Sequence, residues 1–196
     1  MKTIVILLFV CLSFSITAQN KFQLVDNFDS NQNGWTESVS KKSKAIIQDG
    51  VLLLESKDKK GFAESFAFLG VSLKRNFELN CQATIKEMDK DNYIGLIFNG
   101  ENENNLCAFL IGEGIACLYE KRSGGWNLIS SEKIKLNNKK NQIISLGIKN
   151  SFGILTFYVN GMEAISNITG RINFSGFGFV VSGKQTAQFD NLEITQ

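Results

Sequence analysis

The chain of 196 residues contains no histidine and no proline. Without histidine there is no imidazole to serve as a general base, to activate a serine or cysteine nucleophile, or to ligate zinc or iron. Any catalysis is left to carboxylates, lysine or tyrosine. Without proline, no strand is interrupted by a residue unable to donate to a β-ladder. An excess of one charge is lacking too: 21 Lys and Arg stand against 19 Asp and Glu, a net charge of +2. Nothing marks a nucleic-acid binder, and no nucleic-acid partner is expected. Short basic stretches such as Lys57 to Lys60 and Asn137 to Asn141 sit among turn residues and are expected to be solvated loops.

Cysteine is sparse. Cys11 lies in the N-terminal apolar run, leaving Cys81, Cys107 and Cys117. An odd number in an exported chain excludes a fully paired framework, and none shows metal-ligand spacing. Cys81 is flanked by alternating apolar residues and is expected to behave as a small buried hydrophobe. Cys107 and Cys117 lie on successive strand-like runs joined by G-E-G, close enough for a bridge to be considered.

The opening MKTIVILLFVCLSFSITAQN has one Lys, an apolar run and then small polar residues, the layout of a secretory signal peptide. The expected product of cleavage near Ala18 is residues 19–196, one domain that is secreted, periplasmic or part of the cell envelope. The apolar run is too short to be a good membrane span, and no later run is long enough to cross a bilayer.

Past that segment, period-2 alternation dominates. Phe77, Leu79, Cys81, Ala83 and Ile85 face one way while Glu78, Asn80, Gln82, Thr84 and Lys86 face the other, a strand with one wet face. Asp49-Gly50 and Asn160-Gly161 each sit between apolar arms, the strongest short signal for a hairpin. Further strands are expected at 93–99, 106–111, 115–121, 143–149, 176–182 and 187–195. The runs at 94–98 and 106–111 are apolar on both faces, which predicts central strands covered from both sides. Many short strands punctuated by turns predict an all-β sandwich or barrel.

Several landmarks then occur in order. They are D-x-F-x(n)-G-W at Asp26, Phe28, Gly34 and Trp35, the D-G hairpin, the F-E-L strand, and Y-x-G-L-x-F from Tyr93 to Phe98. After these come G-G-W at Gly124 to Trp126, Y-V-N-G at Tyr158 to Gly161, and F-D-N-L-E-I at Phe189 to Ile194. This series resembles the concanavalin A-like, laminin G-type jelly-roll domains of exported bacterial proteins, including a 3-keto-disaccharide hydrolase-like branch. The resemblance implies an antiparallel β-sandwich of two sheets, one concave, with sugars often bound on the concave face. It also implies that F-D-N-L-E-I returns beside the N-terminal strand. Lectins, glycan-binding modules, glycosidases and plain interaction domains all use this fold, so function has to come from the site.

Three kinds of site are open. The stretch D-S-N-Q-N-G puts Asp29, Asn31 and Asn33 at calcium-loop spacing with Gly34 for the turn. The twelfth loop position, however, is Ser40 where a bidentate Glu is expected, and Asn, Asp and Gly favour turns in any case. By resemblance, a structural calcium near the chain ends could draw on an aspartate such as Asp190. For catalysis, glycosidases of this fold carry an E-x-D-x-x-E strand that is missing here. Glu101 and Glu103 have alternate spacing but sit in a polar turn. For sugar binding, Trp126 follows a turn at a sheet edge, with Tyr119 and Tyr93 as further stacking surfaces and Arg122 and Asn127 as donors. Trp35, inside the first motif, is expected in the core. The reading favoured is a non-catalytic module whose partner is a polysaccharide or glycan. The alternatives are a carboxylate glycoside hydrolase and a structural or adhesion protein of the envelope.

Overall fold

The computed structural model describes residues 22–70, 75–86, 88–136, 141–169 and 176–196. The segment expected to be a signal peptide and most of the loop at 137–141 lie outside them. The strands begin with β1 (Gln23–Asp26), β2 (Ser38–Val39), β3 (Ser43–Gln48), β4 (Val51–Ser56), β5 (Phe62–Phe68), β6 (Phe77–Ile85) and β7 (Tyr93–Asn102). They continue with β8 (Asn105–Gly112), β9 (Ile115–Arg122), β10 (Gly125–Lys133), β11 (Gln142–Ser151), β12 (Ile154–Val159), β13 (Met162–Thr169), β14 (Gly176–Ser182) and β15 (Gln185–Thr195). No helix occurs among the described residues, so none is long and apolar enough to cross a membrane.

The strands form two antiparallel sheets. The larger has nine strands in the order β13-β12-β11-β6-β15-β4-β3-β2, with β1 pairing β15 off that path. The smaller has six, in the order β10-β9-β8-β7-β14-β5. Alternation decides what lies between them. From the larger sheet Leu79, Cys81, Ala83, Ile144, Leu146, Phe157 and Phe189 enter one core, and from the smaller Leu96, Phe98, Phe109, Leu118 and Phe179 meet them. Burial of this apolar face is the main stabilising term of the sandwich.

Both expected hairpins form. Asp49 and Gly50 link β3 to β4 with φ of 51° and 72°, and Asn160 and Gly161 link β12 to β13 with φ of 52° and 73°. Positive φ at both central residues matches the right-handed strand twist, which is why Asp-Gly and Asn-Gly occupy these turns. The strand F-D-N-L-E-I does return beside the N-terminus: Asp26 pairs with Leu192 and Leu24 with Ile194.

Strands β7 and β8 are central as expected, but only one of their faces meets the core. On the other face Ile97, Leu106 and Ala108 form a second, smaller cluster with Phe66, Leu110 and Val180. That cluster is the floor of an open groove. Three strands escaped the sequence reading, β2, β5 and β10, and the last two are the edges of the six-stranded sheet.

Candidate functional site

The groove follows from an inverted pattern on β5. In F-A-E-S-F-A-F the small residues Ala63, Ser65 and Ala67 are buried, while Phe62, Glu64, Phe66 and Phe68 face outward. Large groups on the outer face need a low floor, and glycine supplies it. Phe66 pairs with Gly178 and Phe68 with Gly176 on β14. A Cβ at Gly100 or Gly176 would run into the Phe66 ring, and one at Gly112 would come within 2.7 Å of the Tyr93 ring. The rings therefore lie against backbone, and walls rise beside them rather than a filled surface.

Two adjoining cavities result. One, of about 230 Å³, is lined by Phe62, Tyr93, Tyr119, Lys121 and Trp126 above Ala108, Leu110 and Val180. The other, of about 490 Å³, is lined by Thr36, Ser38, Phe66, Phe68, Glu101 and Glu103. Glu64 and Ile97 line both, so the two adjoin on the same face of the sheet.

Trp126 stands at the start of β10, paired with Lys121 across the Ser123-Gly124 turn. The residue is 51% exposed, yet its position is set from below. Tyr119 meets it edge-on at 6.1 Å between centroids, and the Lys121 ammonium lies 5.4 Å from its ring centre. Lys121 Nζ also donates to the Glu103 carbonyl at 2.6 Å, which fixes the cation. A half-exposed indole held in one orientation is what stacking on the apolar face of a sugar ring requires.

Glu64 sits between the two cavities. Burial pushes its carboxyl above the usual 4.5, the nearby Lys121 pulls it back, and Glu103 pushes it up again. No hydrogen bond holds this carboxyl among the described residues, so its oxygens are open to a ligand. Burial also raises the Tyr93 and Tyr119 phenols above 10.0. Both hydroxyls therefore stay protonated at neutral pH, and that of Tyr119 is already hydrogen-bonded to the Cys117 side chain. The groove thus combines stacking surfaces with a carboxyl, an ammonium and two phenols, a set suited to a polyhydroxylated ligand.

Of the residues singled out from sequence for sugar binding, the fold brings Trp126, Tyr119 and Tyr93 around one cavity. Arg122 and Asn127 do not join them. Asn127 pairs with Glu120, one step out of phase with Trp126 and Lys121, so it occupies the opposite face of the sheet. Arg122 is on that face too, in an ion pair with Glu120 at 2.8 Å. Glu101 and Glu103 reach the groove although they belong to the β7–β8 hairpin, because β7 shifts register between Phe98 and Asn102. Glu64, Phe66, Phe68 and Lys121 were missed. The signal was the F-x-E-x-F-x-F alternation itself, which has strand period but does not say which side faces the core.

In D-S-N-Q-N-G both asparagines are engaged within the turn. Asn31 Oδ1 accepts the Trp35 N–H at 2.7 Å while Nδ2 donates to the Trp35 carbonyl at 2.8 Å and to Glu37 Oε2 at 3.0 Å. Asn33 Nδ2 donates to Asp26 Oδ2 at 2.6 Å, and the Trp35 indole N–H reaches the same oxygen at 2.7 Å. Asp26 Oδ1 takes the Phe28 N–H at 2.9 Å. The amides thus present donors and close a turn around the buried Asp26. Asp29 is exposed. Asp190 accepts from the Asn191 N–H at 2.6 Å. Among the described residues no group of three or more His, Cys, Asp or Glu gathers to hold a metal.

Cys107 and Cys117 are free and buried, as is Cys81. Cys107 joins the core between the sheets. Cys117, one step out of phase with Ala116 and Leu118 of that core, is directed to the other face, so β-strand geometry forbids a bridge. Burial pushes the Cys81 thiol up to about 12 and the Cys107 thiol up to about 11.

By sequence, the chain matches no protein-family model and no curated protein. By structure it is similar to carbohydrate binding module CBM66 from Bacillus subtilis, with a TM-score of 0.60 and 18% identity over 83% of this chain and 96% of that one. It is similar to the carbohydrate recognition domain of Emp47p, with a TM-score of 0.64 and 10% identity over 88% and 93%. It also resembles Bacillus licheniformis beta-glucanase, with a TM-score of 0.63 and 9% identity over 89% and 98%. At such identities the likeness is one of fold, a concanavalin A-like jelly-roll sandwich.

Proposed function

We propose that this is an exported carbohydrate-binding protein whose ligand lies in the groove on the outer face of the six-stranded sheet. The observation that carries the reading is the Trp126 indole, half exposed and braced by Tyr119 and Lys121 beside the open Glu64 carboxyl. Exposed aromatics cost solubility unless a ligand covers them, and pyranose rings are matched to such a surface. The structural likeness to carbohydrate-binding proteins supports the same reading by analogy of fold.

Affinity electrophoresis through gels carrying different polysaccharides tests it. At least one polysaccharide is expected to retard the protein, and Trp126→Ala is expected to abolish the retardation with its melting temperature unchanged. Equal retardation of the two proteins would remove Trp126 from the site, and free migration in every gel would sink the reading.

A second reading, glycoside hydrolysis, is favoured by one observation. Glu64 has its carboxyl raised by burial in a cleft that Glu101 and Glu103 also line, and a raised carboxyl with a further carboxyl beside it is the pattern of a general acid and its partner. The resemblance to a 3-keto-disaccharide hydrolase-like branch belongs to this reading. Release of reducing ends from a polysaccharide, lost in Glu64→Gln, would establish it. Absence of turnover on any polysaccharide that the protein binds would leave binding as the function.

A further inference from the structure

We infer that the groove takes an uncharged polysaccharide laid across the strands and gripped along its length, not by a terminal sugar. This rests on the carbohydrate reading above and adds to it the form and charge of the ligand.

Continuity is the first ground. Glu64 and Ile97 line both cavities, so a ligand stacked on Trp126 that passes over Glu64 reaches the second cavity. The second ground is the placement of aromatic surface at both extremes. Trp126 is on β10 and Phe68 on β5, the two edge strands of this sheet. Trp126 lines only the first cavity and Phe68 only the second, so a ligand that covers both aromatic surfaces has to occupy both cavities, which a chain of several sugars does and a single ring does not.

Phe68 is also held as a surface. It is 63% exposed, yet Phe66 meets it edge-on at 5.2 Å and 87°, and Phe66 itself rests on Gly100 and Gly176. An exposed ring whose orientation is set by a half-buried neighbour loses little rotational freedom when a ligand covers it. The arrangement repeats that of Trp126 on Tyr119 at the other end.

Charge selects among glycans. Glu64, Glu101 and Glu103 face the groove, and Lys121 is the one cation among the described lining residues. Its ammonium is already engaged by the Trp126 ring and the Glu103 carbonyl. A uronate or sulfated chain would meet net negative potential with no unengaged cation to receive it, whereas a neutral chain offers hydroxyls that those carboxylates accept.

Calorimetric titration with oligosaccharides from cellulose, xylan, mannan and arabinan, each from disaccharide to hexasaccharide, tests the inference, with polygalacturonate as the anionic arm. In at least one neutral series affinity is expected to rise about tenfold or more from disaccharide to hexasaccharide as the second aromatic surface is reached. Phe68→Ala should weaken the hexasaccharide about tenfold and leave the disaccharide unchanged, Phe68→Tyr should restore it, and Trp126→Ala should weaken both. A disaccharide bound as tightly as the hexasaccharide would overturn the inference and leave the carbohydrate reading standing, as would indifference to Phe68→Ala. Preference for polygalacturonate would overturn the charge argument. No binding at any length in all four series would overturn both readings together. Phe68 lies on the surface, so a matching melting temperature separates lost contact from lost fold.

Discussion

Two clusters in this molecule are built from the same kinds of residue and have opposite fates. At the N-terminal turn, Trp35 is 2% exposed and its indole N–H is bonded to Asp26, which also accepts from Asn33 and Phe28. In the groove, Trp126 is 51% exposed, and the neighbouring Glu64 carboxyl has no hydrogen bond among the described residues. The first cluster satisfies itself and closes a turn. The second leaves its stacking face and its acceptor unspent, and the proposed ligand platform rests on that difference.

The comparison breaks most visibly at the turn. Asp26→Ala leaves two buried donors and one half-buried donor unpaired and is expected to cost about 3–5 kcal/mol, measured by urea denaturation, with ligand affinity of the folded fraction unaltered. A loss below ~1 kcal/mol would mean that the Asp26 web is not what holds the turn. Next is the floor of the groove. Gly176→Ala drives a methyl into Phe66, with an expected cost of about 1–3 kcal/mol and weaker binding of long ligands only. Trp126→Ala should behave in the opposite way to the turn variant. Its stability should stay within ~0.5 kcal/mol of the parent while binding falls about tenfold or more.

Glu64 gives a smaller effect, distinguished by its sign. Its folded value is raised above 4.5, so the folded chain binds this proton more tightly than the unfolded one. The favourable contribution is present below that value and is lost as pH rises through the raised folded value. Glu64→Gln should therefore flatten the decline of stability with rising pH in that window, read from denaturation midpoints. A steeper decline would contradict the environment described for Glu64. The smallest signal is the reactivity of the thiols. Cys81, Cys107 and Cys117 are buried with raised values, so iodoacetamide should label none of them until denaturant is added.

Much of the sandwich was legible because its strands obey a simple period. Phe77 to Ile85 alternates cleanly, and Asp49-Gly50 and Asn160-Gly161 have the backbone freedom that their turns demand. Trp126, Tyr119 and Tyr93 could be picked out as aromatics on strand-like segments and beside a turn. Arg122 and Asn127 could not be excluded from their company, since sequence distance does not reveal strand phase across a hairpin. The β5 strand was harder still: F-A-E-S-F-A-F puts its bulky side chains outward and its small ones inward, the reverse of the usual rule that large apolar residues mark the core.

The amino-acid sequence by itself determined the all-β class, the positions of the turns and the exclusion of imidazole chemistry, because these depend on local period, backbone freedom and composition. Tertiary structure alone decided that Asp26 organises the first turn, since its partners come together only when the turn closes. It alone decided that Cys107 and Cys117 face apart, because the side a residue occupies is set by which strand lies next to it. It also made the groove, where Glu64 from β5 meets Trp126 and Lys121 from the far side of the sheet. A site spread over six paired strands has no signature in any one of them, for its geometry is a property of the pairing.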